Sequence, residues 1–409
     1  MEPPSRRSVV TGAALAAALA VSASSTAGAA PKKTSTPTAP TAAAVSRAYD
    51  FLATSFDRYG SGSTLRLPQS YTGGRLGAQG FVSSFTYDDA LVVLAWLARG
   101  KPEDLVRARV LADTLLALQD ADPIGDGRVR AAYQPAPLLT AQGAHIGSPA
   151  ANTGNQAWLG LALARLFART GERRYLDGAL RLARWIQATT FDGVRGPQGY
   201  TGGRSGDDTA LPYKATEHNI DVGAFFAMLA ATTGDAAWAG RSRTAIAFVA
   251  AMQDPTAGHL WTGTGADGST VRSPVPADVQ SWAYLATGDR RYARAVTWAT
   301  QHLAATDAGF SGIASSTADT SAVWFEGTAH LALALRARGA AGDDARWRSL
   351  LATLERVQAT AVDGDGRGVV AASRDGAATG FGEAHSATLH TGTTAWYLLA
   401  ATGVNPFVL

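Results

Sequence analysis

Through most of the chain, apolar residues recur at i, i+3, i+4 and i+7, the period of an amphipathic helix. The pattern predicts two kinds of helix in alternation. Amphipathic segments are expected over 42–56, 103–119, 173–190, 236–253, 290–304 and 343–359. The other kind, apolar on nearly every side, is expected over 86–99, 153–170, 216–233, 277–287, 321–338 and 391–402. Arg174–Ile186 shows the first kind, with a face of Arg and Asp. Leu91–Leu97 and Leu331–Leu335 show the second. A helix that is hydrophobic all round is a buried one, so an inner ring of apolar helices within an outer ring of amphipathic ones is the natural packing.

The connections alternate as well. After Arg99, Thr170, Thr233, Thr287 and Arg338 the next helix follows within a few residues. Before Thr86, Thr153, Thr216, Ala277, Ser321 and Thr391 there is a long stretch rich in Gly, Pro, Asp and Thr. In a closed ring of helical hairpins this puts every long loop on one face, and loops held by a rigid scaffold carry function. Thr170-Gly171-Glu172, Thr233-Gly234-Asp235 and Thr287-Gly288-Asp289 are near-copies that place Gly where a helix ends in a left-handed turn. Repeats that bury surface against their neighbours form one body, so 42–409 reads as a single domain.

The segments Gly154-Asn155-Gln156-Ala157-Trp158-Leu159 and Trp324-Phe325-Glu326-Gly327-Thr328-Ala329, set in this architecture, resemble the six-hairpin glycosidase type of (α/α)6 toroid. The resemblance runs from Ala42 to Leu409. It implies an all-α toroid of six helical hairpins, with the site in a funnel at the inner-helix N-termini. The activities it implies are glycan hydrolysis, polysaccharide lysis and sugar epimerisation. Terpene cyclases, prenyltransferases and lanthionine cyclases use the same toroid. The zinc thiolates of the cyclases need cysteine, which this chain lacks, and it has no Asp-x-Asp-Asp string.

With 46% apolar and 17% charged residues, the chain has the composition of an ordinary globular protein. The absence of Cys rules out disulfides and thiol catalysis. The seven His are scattered without a His-Glu-x-x-His string, so neither a metal nor a cofactor is expected. Asp363-Gly364-Asp365-Gly366 opens like a calcium loop but lacks the later acidic ligands. Net charge is +3 with no Lys/Arg run, and nucleic acid is not an expected partner. At the N-terminus, Ser5-Arg6-Arg7-Ser8-Val9-Val10 and an apolar run to Val21 resemble a twin-arginine export signal, with Ala27-Gly28-Ala29 as a cleavage site. The run is too short to span a bilayer. Residues 1–29 therefore read as a signal peptide and 30–41 as a disordered linker. The mature protein is expected to be secreted, monomeric and away from membranes, with carbohydrate as its partner.

An inner helix presents its first turn to the loop face, so acids there are candidates for chemistry. Asp88 and Asp89 open the first, Glu217 and Asp221 the third, and Glu326 the fifth. Asp278 opens the fourth, where stabilisation by the helix dipole of about 0.3–1 kcal/mol is explanation enough. Glu217 and Asp221 share a face, where like charges cost roughly 0.2–0.5 kcal/mol. A drier funnel would enlarge that repulsion, which is how a carboxyl is kept protonated as a general acid. Glycoside hydrolysis needs two carboxyl groups, spaced at roughly 6.5–9.5 Å for inversion or about 5–5.5 Å for retention. Acids on different inner helices suit the wider spacing. The expected pair is Glu217 with Asp88, Asp89 or Glu326, acting by inversion. Substrate contacts are expected from His218, Asn219, Asp221, Asn155, Trp158, Trp282, Trp324, Tyr87, Tyr200 and His390. His385 and His390 are candidate bases for a lyase or epimerase, and His218 also suits an epimerase. A non-catalytic glycan-binding protein is the alternative from another class.

Overall fold

A computed structural model describes residues 40–409. The expected leader, and the expected linker up to residue 39, lie outside the described residues. Thirteen α-helices are present among the described residues. In chain order they begin with α1 (Ala42–Asp57), a short α2 (Gly74–Ala78), α3 (Thr86–Arg99) and α4 (Pro102–Asp120). Next come α5 (Thr153–Thr170), α6 (Arg173–Thr190), α7 (Thr216–Thr233) and α8 (Ala236–Ala251). The last five are α9 (Asp278–Thr287), α10 (Ala293–His302), α11 (Phe325–Arg338), α12 (Asp343–Thr360) and α13 (Thr391–Thr402).

Helices α3, α5, α7, α9, α11 and α13 pack each on the next, and α13 packs back on α3. The inner ring is therefore closed, and the fold is the expected all-α (α/α)6 toroid. Each outer helix packs on the inner helix that precedes it across a short join, while α1 packs on α13. Every inner helix ends on a glycine with φ between 62° and 74°: Gly100, Gly171, Gly234, Gly288, Gly339 and Gly403. A β-carbon is disfavoured at such φ, which is why Gly closes each one.

Two boundaries differ most from expectation. The fifth inner helix starts at Phe325 instead of Ser321, because Trp324 is held in extended bridges to Ile313 and Ala372. The outer helix expected over 290–304 opens with a 3₁₀ turn at Arg290–Tyr292 before α10.

The long loops form a collar with a six-fold rule. The first N–H of each inner helix donates to a carbonyl in the following loop: Thr86 to Ala131, Thr153 to Gly202, Thr216 to Thr262, Ala277 to Ser315 and Phe325 to Ala371. Thr391 donates to Ser70 and so joins the last loop to the first. Short antiparallel pairs reinforce the seams, as in Phe85 with Ala132, Ala215 with Gly263, and Tyr71 with His390. These bonds satisfy N–H groups that a helix start would leave orphaned, and they bring all six N-termini into one register.

Candidate functional site

That shared register sorts the first two turns into layers. Five residues after the first bonded N–H stand Leu91, Trp158, Asp221, Trp282, His330 and Trp396. Trp158, Trp282 and Trp396 pack together with ring centroids 5.2–5.8 Å apart, and His330 lies 4.2 Å from Trp396. Phe407, from the C-terminal tail, contacts all three tryptophans. This layer fills the axis of the ring. It corrects the expectation that Trp158 and Trp282 stack on sugar. Trp158 packs against Tyr87, Trp282, Trp396 and Phe407, and Trp282 stacks on Trp396 at 18°. They are the packed base beneath the site.

One turn nearer the loops, and on the same face, stand Tyr87, Gly154, Glu217, Asp278, Glu326 and Gly392. The Tyr87 hydroxyl donates to Glu326 Oε1 at 2.8 Å and accepts the Trp396 indole N–H at 2.8 Å. The two glycines leave room for neighbours. A β-carbon at Gly392 would lie 2.5 Å from Asp88 Oδ1, and one at Gly154 would lie 2.8 Å from His218 Cδ2 and 3.3 Å from Asp221 Oδ2. Asp278, which the dipole alone would explain, therefore occupies the same rank as Glu217 and Glu326. Aligning the six helix starts by register is the signal that would have found it.

Asp88, Glu326 and His390 come together although they lie far apart in the chain. His390 Nε2 is 3.0 Å from Asp88 Oδ2, and Nδ1 is 3.5 Å from Glu326 Oε2. The Thr393 backbone N–H donates to Nδ1 at 3.2 Å, so that nitrogen is an acceptor and the ring proton sits on Nε2, facing Asp88. Tyr71 stacks on the imidazole at 4.2 Å and 8°. With both nitrogens engaged, His390 orients Asp88 through Nε2, where direct substrate contact was expected. His330 Nε2 lies 3.7 Å from Glu326 Oε1.

Asp89 has a different place. The equivalent residues of the other five repeats clamp the loop behind their own helix. Gln156 bonds both N–H and C=O of Val129 (2.9 and 2.8 Å), and Gln280 does the same to Leu260 (2.8 and 2.8 Å). Thr328 and Thr394 accept from the N–H of Ile313 and Val369. Asn219 takes the N–H and C=O of Tyr200 at 2.8 and 3.0 Å, so its amide is a loop anchor and not a sugar ligand as expected. Two residues span about 200° of helix, which turns the Asp89 position away from the axis residue Leu91. Its carboxyl accepts from Ser84 Oγ at 2.8 Å. Burial pushes the Asp89 pKa well above the usual carboxylate range; Ser84 opposes this and the charge of Asp88 adds to it. Asp89 thus stands at the rank of the clamps, bonded to Ser84 and turned from the axis, where a catalytic role was expected.

Of the remaining candidates, Tyr200 is 1% exposed, and its hydroxyl meets Gln187 on α6 at 2.9 Å. It belongs to the wall between helices, where substrate contact was expected. Tyr71-Thr72-Gly73-Gly74-Arg75 and Tyr200-Thr201-Gly202-Gly203-Arg204 are near-identical strings, yet the first runs into α2 and the second into a strand at Gly203–Arg204. Asn155 is buried in the first turn of α5. Glu217 is half-buried at the start of α7. Trp324 is half-buried and stacks on His385 at 5.2 Å and 9°, a flat pair at the rim. In the ring order α7 stands opposite α13, so Glu217 lies across the floor from the group centred on His390.

No family model matches the sequence, and no curated protein matches it significantly. Solved structures do match the fold. Cellobiose 2-epimerase from Bacillus thermoamylovorans is 12% identical, with a TM-score of 0.65 over 88% of this chain and 98% of that one. A family 76 glycoside hydrolase (mannosidase) from Bacteroides thetaiotaomicron is 10% identical, with a TM-score of 0.61 over 89% and 98%. An inactive variant of a Salegentibacter alpha-1,6-mannanase, with two consecutive aspartates changed to asparagine, was solved with alpha-1,6-mannotriose. It is 13% identical, with a TM-score of 0.55 over 89% and 99%. The chain has the (α/α)6 toroid fold that these structures share.

Proposed function

We propose that this chain is a secreted, carbohydrate-active enzyme, a glycoside hydrolase that cleaves an oligo- or polysaccharide with inversion. The observation that carries the reading is the placement of Glu217 on α7, two helices round the ring from Asp88 on α3 and from Glu326 on α11, with Asp88 held by the His390 imidazole and Glu326 by the Tyr87 hydroxyl. Carboxyl groups on separate walls of the ring suit the wider spacing, with room for a sugar and a water, that inversion requires. His390 and Tyr87 fix Asp88 and Glu326, and precise positioning of this kind is worth orders of magnitude in rate. The hydrolase and mannanase folds are consistent with this reading. The arginine-bearing leader supports secretion.

The test is product formation on a polysaccharide panel, with the anomer of the fresh product read by NMR. Glu217→Gln and Asp88→Asn should each lower turnover by two orders of magnitude or more. A product that keeps its configuration would refute inversion. Epimerisation is the second reading, favoured by the epimerase fold and by His218 beside Asp221. It predicts interconversion of free sugars with no glycosidic bond broken, and the same panel shows that directly.

A further inference from the structure

We infer that the outer wall of the toroid carries a second binding site, for a stretch of neutral glycan chain. It lies outside the funnel and goes beyond the catalytic reading above, whose residues it does not use.

Beside the C-terminal half of α1 is an open cavity of about 750 Å3, within the roughly 300–1,000 Å3 usual for ligand pockets. Helix α1 gives it Asp50, Thr54, Asp57 and Arg58, spaced i, i+4, i+7 and i+8 along one face. Eight residues of helix extend about 12 Å, so the floor is a trough, long enough for a run of sugar units. Its walls are Arg107 of α4, Gln69 and Thr72 of the first long loop, and Asp365 and Arg367 of the last. Side chains tie each wall to α1. Arg107 donates to Asp57 Oδ2 at 2.8 Å, Arg58 to Gln69 Oε1 at 2.7 Å, and Arg367 to Thr54 Oγ1 at 3.3 Å. A solvated helix face needs no such walls.

The trough also backs onto the funnel. Tyr71–Thr72 pairs with Leu389–His390, and successive side chains of a strand point to opposite faces. Tyr71 and His390 stack on the site face, which turns Thr72 and Leu389 to the cavity. A glycan held outside would therefore lie one strand pair from the catalytic group.

The lining selects for hydroxyls. Carboxylates of Asp50, Asp57 and Asp365 are matched by guanidinium groups of Arg58, Arg107 and Arg367. An anion would meet the first set and a cation the second, so neither is favoured. The pairs Arg107–Asp57 and Arg367–Asp365 are 25–43% exposed, which leaves donors and acceptors open side by side. Arg58 is bonded only to the neutral Gln69, and Asp50 has no hydrogen bond or ion pair among the described residues. A sugar hydroxyl donates and accepts at once, and vicinal hydroxyls fit such adjacent edges.

Affinity electrophoresis of the full chain in gels containing dextran, mannan or soluble starch reads polymer binding, and turnover of the corresponding trisaccharides reads the funnel. Thr54→Tyr fills the trough from an exposed helix position, and Asp50→Ala removes its unpaired carboxylate. Melting curves followed by circular dichroism check that both variants fold. The parent should be retarded by at least one neutral polymer, in low and high salt alike, because no net charge is being neutralised. Each variant should lose about tenfold in polymer affinity, while trisaccharide turnover stays within about twofold of the parent. Loss of binding in the variants with no product from any sugar would defeat the hydrolase reading and uphold the outer site. A parent that binds no neutral polymer, or variants that bind as the parent does, would overturn the site. Preference for dextran sulfate would overturn its ligand class. Trisaccharide turnover that falls along with polymer binding would put the loss in the funnel and overturn the inference as well.

Discussion

Asp88 and Asp89 are adjacent in sequence yet do opposite work, because 100° of helical rotation sends one to the His390 imidazole and the other to the clamp rank. Their substitutions should separate cleanly. Asp88→Asn removes a charge from the floor and should cost at least a hundredfold in turnover. Asp89→Asn puts in the side chain that Asn219 already uses at the same rank, so activity should stay within a few-fold of the parent. Stability should respond to pH. The Asp89 pKa is raised in the folded protein, so its favourable contribution is full below the unfolded value near 3.8 and is lost as pH climbs toward the folded value. The asparagine variant has no such loss. Its stability relative to the parent should therefore rise as pH increases from about 4, followed by urea midpoints across a pH series. A parent and variant with parallel pH profiles, or an inactive Asp89→Asn, would show that Asp89 faces the chemistry.

At the scale of elements, the helices were legible because their burial is written as periodicity. The long apolar runs of α3 and α11 permit no other placement, and the glycine after each inner helix marks its end. The clamps were not legible, because an isolated Gln or Thr in a first helical turn carries no local signal. Only the shared register shows that Gln156, Asn219, Gln280, Thr328 and Thr394 do one job. The same blindness placed Asn219 and Tyr200 at the sugar, when their bond to each other is what holds the loop. Gln280→Ala tests the clamp as an element. It would strip both partners from the buried backbone of Leu260, at about 1–3 kcal/mol for each group left unsatisfied. The loss should appear as a lower urea midpoint. Exchange of the Leu260 amide should quicken, and that readout would not move if the glutamine were mere filling.

For the whole molecule, ring closure was readable from six alternating segments, while the axis was not. Sequence places Trp158, Trp282 and Trp396 near the helix starts, which fits either a sugar platform or a central plug. What decides between them is Phe407, beyond the last repeat and without a periodic partner. The tail that carries it crosses the end of the ring opposite the loops. The Asn405 side chain donates to the Leu285 carbonyl at 2.7 Å, Arg165 donates to the Asn405 carbonyl at 2.6 Å, and Phe407 enters beneath the tryptophans. These bonds tie the tail to α5 and α9, two elements that are not neighbours in the inner ring, so it braces the toroid from below as the collar does from above. Phe407→Ala should then cost about 3–5 kcal/mol through lost burial and a residual cavity. The damage should reach the floor only through stability. The unfolding midpoint should fall sharply, while kcat/KM, measured well below that midpoint, should match the parent. An unchanged midpoint would mean that the tail braces nothing. A stable variant with depressed kcat/KM would mean that the tryptophan layer transmits its packing to Tyr87 and Glu326, and that base and site form one mechanical unit.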